Sequence, residues 1–121
     1  QRLSELDAQA SMRERVRAVL LETLPAGISS IDAVAQRLAI SKRSLQRQLA
    51  EESVGFQELL SEVRHELARH YLSRTDISAG EISWLLGFQE SNSFIRAFRS
   101  WTGTTPAAYR QGRAGMDAQW H

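Results

Sequence analysis

The stretch WLLGFQESNSFIRAFRSWTG, residues 84–103, decides the fold. Two apolar bursts of helical spacing flank a glycine and a polar knot. The second burst sets Phe94 and Phe98 on one side and Asn92, Ile95, Arg96 and Arg99 on the other. Gly87 suits a left-handed helix exit, and Phe88 and Gln89 continue the turn. The stretch therefore reads as two helices joined by a tight turn, the second presenting a polar face outward.

Working outward, Ser78 and Glu81 have the spacing of a capping box ahead of Ile82, Leu85 and Leu86. Gly103 ends the helix that carries Phe94, Phe98 and Trp101, and Thr105 with Pro106 starts another ahead of Ala107, Ala108 and Tyr109. Upstream, Met12, Val16, Val19, Leu20 and Leu24 recur at helical spacing until Pro25 and Gly27. Ser30 is the expected cap of a short second helix with Asp32 near its positive end and Ile31, Val34, Ala35 and Leu38 inward. Ser41 is the expected cap of a third, with Leu45 and Leu49 inward and a turn of about three residues before it. From Phe56 to about Arg74 runs the longest pattern, with Phe56, Leu59, Leu60, Val63, Leu67 and Tyr71 as its stripe. Nineteen residues of helix span roughly 28 Å.

The chain repeats itself. At a shift of 48 residues Val34 falls on Ile82, Leu38 on Leu86, Ala39 on Gly87 and Ile40 on Phe88; at 49, Leu45 falls on Phe94, Arg47 on Arg96 and Leu49 on Phe98. A helix-turn-helix unit thus occurs twice, one residue longer in its second turn. The expected fold is all-α, about seven homeodomain-like helices forming two helix-turn-helix subdomains joined by a long central helix. Its divisions are a linker at 1–11, a first subdomain at 12–55, the connecting helix at 56–74, a second subdomain at 75–112 and a flexible tail at 113–121.

Both outward faces have one chemistry. Arg43, Gln46, Arg47 and Ala50 share a side of the third helix, as Asn92, Ile95, Arg96 and Arg99 do on the sixth. Arginine can fork onto guanine, and glutamine or asparagine can pair with adenine, in a DNA major groove. Lys42 and Arg43 also sit in a first helical turn, where the helix dipole disfavours a cation by roughly 0.3 to 1 kcal/mol; phosphates would reverse that penalty. Glu90, near the start of the sixth helix, can accept from a cytosine amine or serve as a dipole-favoured cap. The net charge of only +1 hides two windows without acids, 33–50 and 91–116, while acids gather at Glu51, Glu52, Glu58, Glu62 and Glu66.

Other classes fit less well. The chain has 121 residues, 42% of them apolar, enough for a core, and no cysteine, so neither disulfides nor thiolate metal sites are expected and a reducing cytoplasm suits it. No apolar run approaches the roughly 18 residues of a membrane span. Gln1 in place of methionine is the beginning expected of a fragment. His65 and His70 are five apart, about 140° round a helix, so they do not form the zinc-protease pair, and the expected place of this charged face is solvent. No catalytic residue, cofactor or metal is expected. The remaining rival is a protein-interaction module anchored on Trp84, Trp101 or Trp120.

With both units in place, the chain resembles the DNA-binding domain of the AraC/XylS family of bacterial transcription regulators. ISAGEISWLLGFQESNSFIRAFRSWTGTTPAAYR, residues 77–110, is similar to the family signature at Ile82, Gly87, Phe88, Phe94, Arg96, Phe98, Trp101, Gly103, Pro106 and Tyr109, and VAQRLAISKRSLQRQLAEE, residues 34–52, resembles its first unit. The departures are Ala39, where glycine is frequent, and Gly55, later than the glycine that commonly follows the acidic pair. The resemblance implies two recognition helices in successive major grooves, about 34 Å apart. It implies that Arg43, Gln46 and Arg47 read one half-site with Lys42 and Ser44 beside them, and that Gln89, Ser91, Asn92, Ile95 and Arg96 face the other, with Arg99 on the same side. Ile95 either touches a thymine methyl or fills the rim between helices. It also places Trp84 and Trp101 in the core, an effector-binding or dimerisation domain ahead of this one, and RNA polymerase among the partners.

Overall fold

The computed structural model describes residues 10–112, in which seven α-helices and no strand are present. They are α1 (Met12–Thr23), α2 (Ile31–Arg37), α3 (Lys42–Glu51), α4 (Phe56–Arg74), α5 (Ala79–Leu85), α6 (Ser91–Thr102) and α7 (106–112). No single helix among them is long and apolar enough to cross a membrane. By contacts the chain forms two compact units that divide between Val63 and Arg64, inside α4.

In the first unit α1, α2 and α3 each start on a serine. Ser11 and Glu14 close a full capping box on α1, which the sequence reading did not identify. Ser30 accepts from the Ala33 N–H and Ser41 from the Ser44 N–H, as expected. Val16, Leu20, Leu24, Val34, Leu45 and Leu49 are fully or almost fully buried, so α1, α2 and α3 share one core. The turn between α2 and α3 covers residues 38–41.

That turn reverses through Ala39 at φ 59°. The Ala39 N–H donates to the Gln36 carbonyl and the Ile40 N–H to the Ala35 carbonyl, the paired bonds that end a helix in a left-handed residue. A Cβ in this conformation costs roughly 1 to 2 kcal/mol, while glycine loses about 0.5 to 1 kcal/mol more backbone entropy on folding. Ala39 is exposed and its methyl fills no core space. Ala39→Gly should therefore raise stability by about 0.5 to 1 kcal/mol, read as a higher urea midpoint at unchanged slope; a lower midpoint would mean that the methyl matters more than the strain. The exit of α3 uses the same device at Ser53, φ 63°, with Val54 buried behind it. Its N–H donates to Ala50 and that of Val54 to Leu49, so Gly55 is not the turning residue.

In the second unit Ala68, Leu72, Ile82, Leu86, Phe94 and Phe98 form the core. Leu67 and Tyr71, expected in the α4 stripe, are only partly buried against this core, and Ala68 and Leu72 take their place. The expected stripe prolonged the buried side of Phe56–Val63 into a segment that packs on a different core. Ser78 accepts from the Glu81 N–H, the serine half of the expected box. Gly87, φ 81°, turns the chain as expected: its N–H donates to Trp84 and that of Phe88 to Ser83. Gly103, φ 80°, ends α6. The residues between α5 and α6 are 86–90, one more than in the first unit. Trp84 does not join the core: it is 66% exposed on α5, whereas Trp101 is half-buried. The α5 turn that buries Ile82 and Leu86 carries Trp84 on its other side. Trp120 and the expected tail lie outside the described residues, as does the expected linker before residue 10.

Candidate nucleic-acid interface

On α3 the buried pair Leu45 and Leu49 fixes the rotation of the helix, which leaves Lys42, Arg43, Gln46, Arg47 and Ala50 exposed. Ser44 is half-buried and its hydroxyl accepts from Gln48 Nε2 at 3.0 Å, so it has less freedom than its neighbours. On α6 the buried pair Phe94 and Phe98 does the same, leaving Ser91, Asn92, Arg96 and Arg99 exposed and Ile95 half-buried, and Gln89 is exposed in the turn just before it. Each face borders an open groove of about 520 Å³: one is walled by Lys42, Gln46 and Ala50, the other by Trp84, Gln89, Ser91 and Asn92.

The charges on these faces are unspent. Among the described residues Lys42, Arg43, Arg47, Arg96 and Arg99 make no ion pair, whereas Arg13 Nη2 donates to both carboxylate oxygens of Glu62 at 3.0 and 3.1 Å and Arg37 lies 3.8 Å from Glu22. Glu90 occupies the N-cap position of α6, but its carboxylate makes no capping bond. Instead its carbonyl accepts from the buried Ser83 hydroxyl at 3.3 Å.

Three charged side chains hold these units from a distance, and the sequence reading identified none of them in that role. Glu52 accepts from the Met12 and Arg13 N–H groups at 2.8 and 2.9 Å, so a carboxylate from the end of α3 caps α1. Arg64 donates from Nε to the Leu86 carbonyl at 2.7 Å and from Nη2 to the Gly87 carbonyl at 3.1 Å, with its guanidinium 4.1 Å from the Phe88 ring centre. Burial pushes its pKa below the usual arginine value. Arg110 donates to the carbonyls of Leu72, Tyr71 and Thr75 at 3.2, 3.3 and 3.1 Å and so caps the end of α4. This takes Arg110 out of the second basic window as a free charge.

His65 is not on a solvated face. Its ring stacks on Trp101 at 5.2 Å and 22° and meets Phe98 edge-on, and Nε2 is buried without a partner. Burial first, and the Arg69 charge second, hold its pKa below the ordinary histidine value. A lowered pKa means that the unfolded chain binds the proton more readily. The contribution to stability is then complete above the unfolded pKa of about 6.5 and is lost as the pH falls below it. His65→Phe keeps a ring against Trp101 and cannot titrate, so between about pH 7.5 and pH 5.5 its melting temperature should fall less than that of the parent. Parallel pH profiles for the two proteins would remove His65 as the cause. Among the described residues no group of three or more His, Asp or Glu side chains is placed to hold a metal ion.

Comparison with known proteins agrees with this geometry. A family model described as a helix-turn-helix domain matches residues 34–112. The ornithine utilization regulator of Pseudomonas aeruginosa is 41% identical over 109 residues, which is 90% of this chain and 32% of that protein. A DNA-binding transcriptional dual regulator from Escherichia coli K-12 superposes with a TM-score of 0.81 at 27% identity, covering 88% of this chain and 96% of that one. The DNA-binding domain of AdpA, a global transcriptional factor solved in complex with a target DNA, superposes with a TM-score of 0.75 at 26% identity, covering 91% and 99%. The chain spans about a third of the length of the curated relatives it matches. Two helix-turn-helix units, each with its turn and its polar outer helix, and a match that covers both of them place this chain in the AraC/XylS family of helix-turn-helix transcription regulators.

Proposed function

We propose that this chain is the sequence-specific, double-stranded DNA-binding domain of a bacterial transcription activator that works in the cytoplasm. In this reading α3 and α6 enter successive major grooves. Arg43, Gln46 and Arg47 contact bases in one, with Lys42 and Ser44 beside them; Gln89, Ser91, Asn92, Ile95 and Arg96 contact the other, with Arg99 at its phosphates. The domain is a binding module and not an enzyme. RNA polymerase is the expected further partner, and an effector-binding or dimerisation domain belongs to the longer regulator. The observation that carries the reading is the set of exposed cations on the outer faces of α3 and α6 that pair with no described acid, each face opposite a buried apolar pair.

A salt series tests it. Binding to duplex DNA should weaken with salt at a slope of about −0.9 for each phosphate neutralised, and selection from a random duplex pool should return two short motifs about one helical turn apart. Affinity that ignores salt, or a pool that returns no motif, would overturn the reading.

A further inference from the structure

The two turns that present the outer helices are built differently. The α2 to α3 turn is closed by its own backbone bonds and the Ser41 cap. The α5 to α6 turn is held from outside as well. Arg64 binds the carbonyls of Leu86 and Gly87 and lies against the Phe88 ring, which itself meets Phe94 in the first turns of α6 at 5.9 Å. Ser83 holds the far end of the turn through the Glu90 carbonyl. In the internal repeat the residue 48 places before Arg64 is Val16, a fully buried apolar side chain in the first unit.

We infer that Arg64 is a positioning residue for DNA reading by α6, fixing the turn from which that helix projects. Two facts separate this from a plain helix cap. The guanidinium is half-buried and pairs with no described acid, so two carbonyls and a ring stand in for the part of its hydration that is lost, a poor arrangement if stability alone were gained. Its three contacts also fall on consecutive residues, 86, 87 and 88, so the 86–87 and 87–88 peptide planes cannot rotate without breaking at least one. A reading helix needs its side chains held within about 0.5 Å of the productive geometry, and the Arg64 contacts fix this turn beyond its own Gly87 and Phe88 N–H bonds. Arg64 touches no base in this scheme and acts through Leu86, Gly87 and Phe88.

This inference rests on α6 being a reading helix, and the test keeps the two apart. The parent, Arg64→Met, Arg64→Lys and Arg96→Ala are titrated, far below their melting temperatures, against the selected duplex and against versions with the first or the second half-site scrambled. Arg64→Met should lose about tenfold or more of its discrimination at the second half-site and keep it at the first. Arg64→Lys, which keeps the charge but lacks the planar guanidinium that reaches both carbonyls while lying against the Phe88 ring, should recover only part of the loss. If Arg64→Met does not fold, the lysine variant decides: full discrimination at the second half-site overturns the inference. Arg64→Met that is less stable but reads the second half-site normally would also overturn it, leaving Arg64 a cap. Loss in Arg96→Ala but not in Arg64→Met refutes the positioning role alone, whereas a parent indifferent to the second half-site refutes the reading role of α6 and this inference with it.

Discussion

Phe98→Ala should cost about 3 to 5 kcal/mol of folding stability, the largest single loss expected in this protein. Phe98 is completely buried and stands at the meeting point of three helices of the second unit. Its ring meets Tyr109 edge-on at 5.3 Å, Phe94 at 5.9 Å, Trp101 at 6.3 Å and His65 at 6.4 Å. Removing it loses the transfer free energy of the ring, several edge-to-face contacts of about 0.5 to 1.5 kcal/mol each, and leaves a cavity whose walls are rigid aromatics that close it poorly. A domain of this size is stable by only about 5 to 15 kcal/mol, so the melting temperature should drop by more than about 10 °C. Protection from hydrogen exchange should fall first in α6 and α7, whose Phe94, Trp101 and Tyr109 meet the ring, and last in α1 to α3. A melt matching the parent would mean that the buried and outer sides of α6 are reversed, and with them the reading face.

How much of this was legible in the sequence depends on how far each signal reaches along the chain. Ser30, Ser41 and Gly87 act on groups within five residues, so their spacing states their role, and the helices start and end where they indicate. The outer faces of α3 and α6 follow from Leu45, Leu49, Phe94 and Phe98 for the same reason. Arg64 and Arg110 were not legible, because the carbonyls they bind lie 22 to 39 positions away and a lone arginine on a polar helix side has the pattern of a solvated residue. Glu52 has the pattern of a surface acid for the same reason, although it caps a helix 39 and 40 residues earlier. Ser53 is hidden by identity, since a left-handed turn is signalled by glycine and here another residue accepts the strain, whereas Ala39 shows its turn through its alignment with Gly87 in the repeat. His65 and Trp84 show the converse error, a polar residue taken into an aromatic stack and an aromatic residue left in solvent.

Arg47→Ala should separate reading from folding. Arg47 is exposed on α3, one turn beyond Arg43 and beside Gln46, and among the described residues it has no ion-pair partner, so its truncation removes no core contact. Stability should stay within about 0.5 kcal/mol of the parent. If the guanidinium forks onto a guanine edge, specific affinity should fall by about 1 to 3 kcal/mol, roughly 5-fold to 150-fold, with a much smaller loss on scrambled duplex. The lysine variant sharpens the point. Arg47→Lys keeps the charge and so the salt dependence, but an ammonium lacks the planar fork that fits both acceptors at once, and it should lose part of the discrimination while the salt slope stays unchanged. If instead Arg47→Ala lowers the affinity for target and scrambled duplex equally and shortens the slope by about one phosphate, Arg47 is a backbone contact. Base reading on α3 would then fall to Arg43 and Gln46, the two neighbours on the same exposed side of the helix.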